Sequence, residues 1–420
     1  MLFSHNGKRR VKQLMELNKP LEGIKVVDFS WILTGPLVAR YLADWGATVV
    51  KVESRIRPDE VRTVAPFNKG IPGLNRSATF ANWNSGKYSI SLNMKDPKAA
   101  DIIRRLISWA DIVVESFRPG VLKRLGLDYE QIRSIKKDII VVSHTTQGQT
   151  GPFALQPLIA HFVHSLAGIT CLTGWPDRAE VGLRIAYGDN VQATLSFLLI
   201  LAGLDYRQRT GSGQYIDISQ LESLIQVLSP CFLDYAANGR IQSRQGNRCS
   251  YAAPHGVYRC KGEDRWCAIA VFSDEEWKGF CNVIGKPQWV SEQNFATILN
   301  RKQNEDELDR LITDWTINFT PEEVMAKMQQ AGISAGAVQD AQDIVETDPQ
   351  LASRHHLFTL AHPETGEYVC EAPGFRLSKV PLEIEQSSPC IGEHNYFVCT
   401  QFLGISDEDF ANLVSASVLE

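Results

Sequence analysis

Between residues 21 and 53 the chain reads LEGIKVVDFSWILTGPLVARYLADWGATVVKVE, and this stretch leaves few folds open. LEGIKVVDFS is a run of branched apolar residues ending on a polar turn. Residues 37–45 carry a helical pattern that stops at Gly46, and ATVVKVE reads as a second strand. Strand, helix and strand within about thirty residues form a βαβ unit, whose strands lie parallel with a right-handed crossover. Sheets of this kind bind ligands at the carboxyl ends of their strands, so residues 31–36 and 53–57 are candidate site segments. The turn lacks Gly-x-Gly-x-x-Gly, so a nicotinamide enzyme is not expected. Glu53 stands where a ribose-binding acid would, but reads as solvated surface.

The alternation continues. KYSISL at 87–92 reads as a strand, and Asp96-Pro97 opens a helix carrying Ile102, Ile103, Leu106, Ile107 and Trp109 at helical spacing. A strand at 112–115, the turn Ser116-Phe117-Arg118-Pro119-Gly120, short helices through Arg124 and over 129–135, and a strand at 139–143 follow. The fold class is therefore α/β. Residues 147–157 form a Gly- and Pro-rich loop, and 159–167 a helix with His161 and His164 three apart. That spacing suits a metal pair, but no carboxylate or Cys lies nearby, so the two read as buried or edge histidines. Asp189 precedes a mostly apolar helix over 191–208. There it would cap the helix, and the first-turn N–H groups and dipole would favour its ionised form. Such a carboxylate is a competent nucleophile toward an activated acyl group, though a plain cap has the same pattern.

At 420 residues the chain is too long for one compact unit. We place a large α/β domain at 20–230, a linker at 231–255, a smaller α+β domain at 256–345 and a returning C-terminal segment at 346–420. The smaller domain opens on a hairpin (GVYRC, KGEDR, WCAIAV), with helices at 274–284, 305–319 and 321–331. The tail carries β-like HLFTLAHP and EYVCEAP and a helix near 408–418. With 44% hydrophobic and 22% charged residues and a net charge of −5, neither a disordered chain nor a nucleic-acid partner is expected. The longest apolar run, 195–204, is short of the ~20 residues a span needs, so no membrane partner is expected. Nine cysteines without Cys-x-x-Cys suit free thiols in a reducing cytoplasm. The first twenty residues lack the apolar core of a signal peptide and read as a solvated lead-in.

Eight segments in order carry a family resemblance: DFSWILTGP, LADWGATVVKVE, NSGKYSISLNMKDP, ADIVVESFRPGVLKRLGLDYE, QGQTGP, YGDNVQA, RTGSGQYIDIS and IGEH. Together they resemble the class III CoA-transferases, which include formyl-CoA transferase, carnitine CoA-transferase and α-methylacyl-CoA racemase. The resemblance implies a large domain with a Rossmann-like parallel sheet, built from the N-terminal part and the tail. It also implies a smaller domain and an interlocked homodimer. It implies an enzyme with coenzyme A thioesters as substrates and no metal. In that family the residue matching Asp189 attacks an acyl-CoA thioester, giving an aspartyl anhydride and then an enzyme-bound CoA thioester before the acceptor acid enters. Trp31, Ile32 and Leu33 match residues that line the CoA site, Lys87 a basic contact, and Ser116, Phe117 and Arg124 the nucleotide and pantetheine region.

The sequence departs from the family at points that bear on substrate. Ser54 replaces a basic residue after the strand-ending Glu53, leaving Arg55 to substitute; Ser116 replaces a common Asn, and Thr145 a Lys. The glycine-run loop of formyl-CoA transferase has no counterpart, GNRCSYAAPHG occupying its region. An acceptor other than oxalate is expected, with Tyr187, Tyr251 and His255 as candidate lining groups. Two alternatives stay open. One is a CoA-binding partner subunit of a heteromeric enzyme, against which Gly188-Asp189 argues; the other is a racemase, whose extra histidine falls near Ile159.

Overall fold

The computed structural model describes residues 19–420, so the lead-in read over residues 1–20 lies almost wholly outside them. The chain divides into two compact units. The first takes in the chain up to Ile169, then Gly182–Gly239 and Leu351–Glu420; the second holds Thr170–Val181 and Arg240–Gln350.

The first unit is built on six parallel strands: β1 (Lys25–Asp28), β2 (Thr48–Glu53), β3 (Tyr88–Ser91), β4 (Ile112–Glu115), β5 (Ile140–Thr145) and β6 (Tyr215–Ser219). Their order is β3-β2-β1-β4-β5-β6. That order reverses between β1 and β4, the place where doubly wound sheets open a crevice. Because side chains alternate along a strand, each strand feeds two cores. Val27, Val113 and Val141 face one core, with α2 (Ala99–Trp109). Val26, Val114 and Val142 face the other, under α1 (Thr34–Asp44) and α4 (Tyr187–Thr210). The remaining helices of this unit that matter to the site are α3 (Ala160–Leu166), α5 (Gln220–Val227) and α6 (Ser229–Asn238). The last overturns part of the sequence reading: residues 231–238, expected as linker, are helical, started by Pro230 in the first turn and closed by left-handed Gly239.

Charged residues are buried on and beside β1 to β3. Lys87 Nζ donates to Asp28 Oδ2 at 2.9 Å, Lys51 to Asp59 Oδ2 at 3.1 Å, and the Arg62 guanidinium spans both oxygens of Glu53 at 2.8 and 2.7 Å. Glu53 is thus no solvated surface acid; it is fully buried and neutralised by an arginine nine residues later. Taking one partner away from such a pair leaves an uncompensated charge in the interior.

The tail completes the first unit with a hairpin, β10 (Leu357–His362) and β11 (Gly366–Glu371), and α10 (Asp407–Ser415). Val398, Cys399, Val418 and Leu419 fill the core beside α2, and Leu419 bridges Leu92 beside β3. The second unit pairs an antiparallel sheet, β7 (His255–Arg259), β8 (Trp266–Ala270) and β9 (Ser334–Ala337), with α7 (Asp274–Val283), α8 (Glu305–Thr316) and α9 (Pro321–Gln330). Thr320 and Glu323 form a capping box, with Pro321 at the first helical position. Among the described residues no helix is long and apolar enough to cross a membrane.

Candidate active site

The turn after β1 is held residue by residue. Asp28 Oδ1 accepts the Ser30 N–H at 2.9 Å, Ser116 Oγ accepts the Trp31 N–H at 2.9 Å, and Asp59 Oδ1 accepts the Ile32 N–H at 3.0 Å. Ile32 sits at φ 70°, a left-handed conformation that a β-branched residue adopts only where its surroundings impose it. It is half exposed at the crevice. The Trp31 ring meets Phe117 edge-on at 5.8 Å, and the Arg57 guanidinium lies over it at 5.2 Å. The crevice between β1 and β4 therefore carries an aromatic pair with a cation above it.

Three residues after Trp31, Thr34 begins α1, and its hydroxyl donates to Asp189 Oδ1 at 2.9 Å. Asp189 is not the helix cap the sequence suggested. Helix α4 begins two residues earlier, with Ala186 at the cap position making no side-chain bond, so Asp189 is the third residue of the first turn. First-turn N–H groups have no partner inside their own helix; here the Tyr187 N–H goes to the Ile185 carbonyl and the Gly188 N–H to His164, and only the N–H of Asp189 itself bears on its carboxylate. Burial is the largest influence on Asp189 and pushes its pKa up; the Thr34 hydroxyl, the Gln220 amide, its own N–H and His164 pull it down, and the net shift is upward. The dipole and hydrogen bonds thus offset a desolvation cost rather than dominate, a correction to the sequence expectation.

Gly188 is what lets the neighbours close in. Its N–H donates to His164 Nε2 at 3.1 Å, and a Cβ there would meet Leu224, Gln220 and His164 at 3.1 to 3.2 Å. Behind it, Gln192 Nε2 donates to the carbonyls of Thr145 at 3.2 Å and Ile218 at 2.8 Å, tying α4 to the ends of β5 and β6.

The residues singled out by sequence divide into those that meet and those that do not. Trp31, Ile32, Ser116 and Phe117 share the β1–β4 crevice, while Arg124 stands exposed in the short helix that follows Phe117. Leu33 is buried in the core under α1. Lys87 is not a surface cation: its ammonium spends its donors on Asp28, the Pro36 carbonyl and Asn84, and burial lowers its pKa to about 8. Arg55 is turned to the tail, its N–H donating to Glu420 Oε2 and its guanidinium to the Ile391 carbonyl. Thr34, Gln220 and His164 were missed as partners of the Asp189 turn. Thr34 and Gln220 lie in or beside the motifs LTGP and QYIDIS at strand ends, which was the available signal. His161 and His164 have ring centroids 6.3 Å apart, with His164 Nε2 committed to Gly188.

The chain is similar to known proteins over most of its length. The description of CoA-transferase family III matches residues 21–395. The chain belongs to CoA-transferase family III. It is 30% identical over 402 residues to succinyl-CoA--D-citramalate CoA-transferase of Chloroflexus aurantiacus, covering 96% of this chain and 98% of that one. It is 31% identical over 381 residues to succinate--glutarate CoA-transferase of Agrobacterium fabrum, covering 89% and 94%. The crystal structure of a CaiB/BaiF family protein from Brucella suis superposes with a TM-score of 0.84 at 30% identity, over 92% of this chain and all of that one. The chain is therefore an enzyme that takes CoA thioesters as substrates.

Proposed function

We propose that this family member moves CoA from succinyl-CoA to a short dicarboxylic acid through covalent intermediates on Asp189. The observation that carries the reading is the setting of that carboxylate: largely buried, in the first turn of α4, and hydrogen-bonded by Thr34. A desolvated carboxylate is a better nucleophile than a solvated one, and splitting the exchange into acyl-transfer steps conserves the thioester energy without a base. The substrate class follows the two relatives, whose names pair succinyl-CoA or succinate with D-citramalate or glutarate. The CoA chain would lie along the β1–β4 crevice, on Trp31, Ile32 and Phe117, with Arg57 and Arg124 as the phosphate partners in place of the buried Lys87 and tail-bound Arg55. A homodimer of the interlocked type fits the apolar side chains exposed on α3 and α6, among them Phe162, Leu233 and Tyr235.

A racemase would need a ring nitrogen facing substrate. His164 Nε2 already accepts the Gly188 N–H, and its Nδ1 is buried with no partner among the described residues. The test is an exchange assay of the purified chain with succinyl-CoA and a panel of dicarboxylic acids, with hydroxylamine trapping read on the Asp189 peptide. Transfer with an adduct on Asp189, both absent in Asp189→Ala, is expected. Transfer that survives Asp189→Ala would sink the covalent mechanism. Deuterium entering the α-carbon without transfer would favour the racemase, and turnover only after adding a second polypeptide the partner-subunit reading.

A further inference from the structure

We infer that Thr34 assigns the two oxygens of Asp189 to different tasks: it holds Oδ1 as the oxyanion acceptor and leaves attack to Oδ2. The inference rests on the covalent reading of Asp189 given above. Thr34 Oγ1 donates to Oδ1 at 2.9 Å and is itself buried. Its position is not adjustable. The β-branched side chain has few rotamers at the start of a helix, and the preceding turn is pinned through Trp31 to Ser116 and through Ile32 to Asp59. The following Gly35 packs so closely that a Cβ would fall 2.2 Å from that of Ser30. A donor held this way acts on whatever charge develops at Oδ1 without reorganising.

Each step then uses the contact differently. Oδ2 attacks the succinyl-CoA carbonyl, the carbon–sulfur bond breaks, and the CoA thiolate leaves with the electron pair. The thiolate returns to Asp189 Cγ, and the Cγ–Oδ1 π pair moves onto Oδ1, where the Thr34 hydroxyl meets a full negative charge. Collapse restores that double bond and breaks Cγ–Oδ2, so Oδ2 departs in the released succinate. The acceptor carboxylate then adds to Cγ, expels the thiolate, and leaves one of its own oxygens on Asp189 when the thiolate takes the acyl group. No proton is gained or lost. Oδ2 is replaced in every cycle, whereas Oδ1 stays as long as the carboxylate does not flip.

Oxygen-18 tests this directly. Succinyl-CoA and oxygen-18 succinate exchange with each other, so the acceptor's identity is not needed. After a few turnovers the wild-type Asp189 peptide should carry one heavy oxygen. Thr34→Val, which keeps shape and removes the donor, should carry two, with kcat down about 100-fold; Thr34→Ser should restore the single label. Two heavy oxygens in the wild type, or a single label in Thr34→Val at unchanged kcat, would overturn the role of Thr34 and leave the covalent aspartate standing. An unlabelled Asp189 while exchange proceeds would instead overturn the covalent aspartate. The wild-type stoichiometry keeps the test decisive even if Thr34→Val does not fold.

Discussion

At the scale of single residues, Asp189, the proposed nucleophile, is where stability is set against chemistry. Its folded pKa lies above the ordinary carboxylate value because burial outweighs the Thr34 and Gln220 hydrogen bonds. The folded protein therefore binds this proton more readily than the unfolded chain. The ionised form costs stability at neutral pH, and that cost disappears as pH falls below the unfolded value. Asp189→Asn should unfold about 1 kcal/mol later at pH 7, with no gain at low pH, while losing transfer; a variant less stable at pH 7 would show that the charge is satisfied. On the covalent reading proposed for Asp189, catalysis needs the ionised form, so the acid limb of kcat/KM should lie above the usual carboxylate range and move further up in Thr34→Val. Gly188→Ala makes a separate test. The added Cβ must displace Leu224, Gln220 or His164 by a few tenths of an ångström, all of them around the proposed nucleophile. Activity should fall about tenfold or more with a small change in melting temperature, since a slight misplacement costs rate before it costs fold.

At the scale of elements, strand ends hold the unusual chemistry. Glu115 closes β4 and is buried, and burial raises its pKa to about 7 although the Phe117 N–H donates to it at 2.8 Å and the Gln149 amide at 3.3 Å. With the folded value above the unfolded one, its contribution is present at acid pH and lost as pH rises through about 7. Glu115→Gln should therefore stabilise above that pH, on the order of 1–3 kcal/mol in denaturant titrations; an unchanged midpoint at pH 8 would refute it. At Gly213, in the turn between α4 and β6, a Cβ would stand 1.9 Å from the Ile139 carbonyl oxygen. Gly213→Ala should cost about 3 kcal/mol, because the backbones of β5 and β6 must separate. Such close approaches mark the limit of what local pattern shows. Periodicity and turn residues made the βαβ unit and the 31–36 turn legible, because each is written within about thirty residues; they put Asp189 near a helix start without separating a nucleophile from a cap. The Lys87–Asp28 pair joins positions 59 apart and Arg55 meets Glu420 across 365, so nothing near either cation marks it as engaged. The start of α4 at Tyr187 was hidden by Gly188, a poor helix former kept there for space.

At the scale of the whole molecule, the two units are assembled differently from the chain, and that predicts how each tolerates being cut. The first draws on three separate segments. Its core beside α2 includes Val398, Cys399, Ile405, Val418 and Leu419 from the tail, and its interior Arg40 donates to Glu371 at 2.8 Å. Ending the chain at residue 350 removes that apolar surface and leaves Arg40 without Glu371, so the sheet unit should lose cooperative unfolding altogether. The second unit is nearly continuous. Its core of Tyr258, Trp277, Phe280, Leu308, Ile312, Val324, Met328 and Ile333 falls within residues 258–333. Buried Arg301 is satisfied locally by the Ala253 and Phe295 carbonyls under the Trp277 ring, and Tyr258 donates to Asp309 at 2.8 Å. About a hundred residues with one closed core suffice for independent folding. A fragment of residues 240–350 should therefore show a cooperative thermal transition by circular dichroism and dispersed amide resonances. A flat melt with collapsed spectra would mean that Thr170–Val181, whose Gly174 carbonyl accepts the Gly246 N–H at 2.8 Å, is required to close it. Adding that segment in trans as a peptide would then restore the transition.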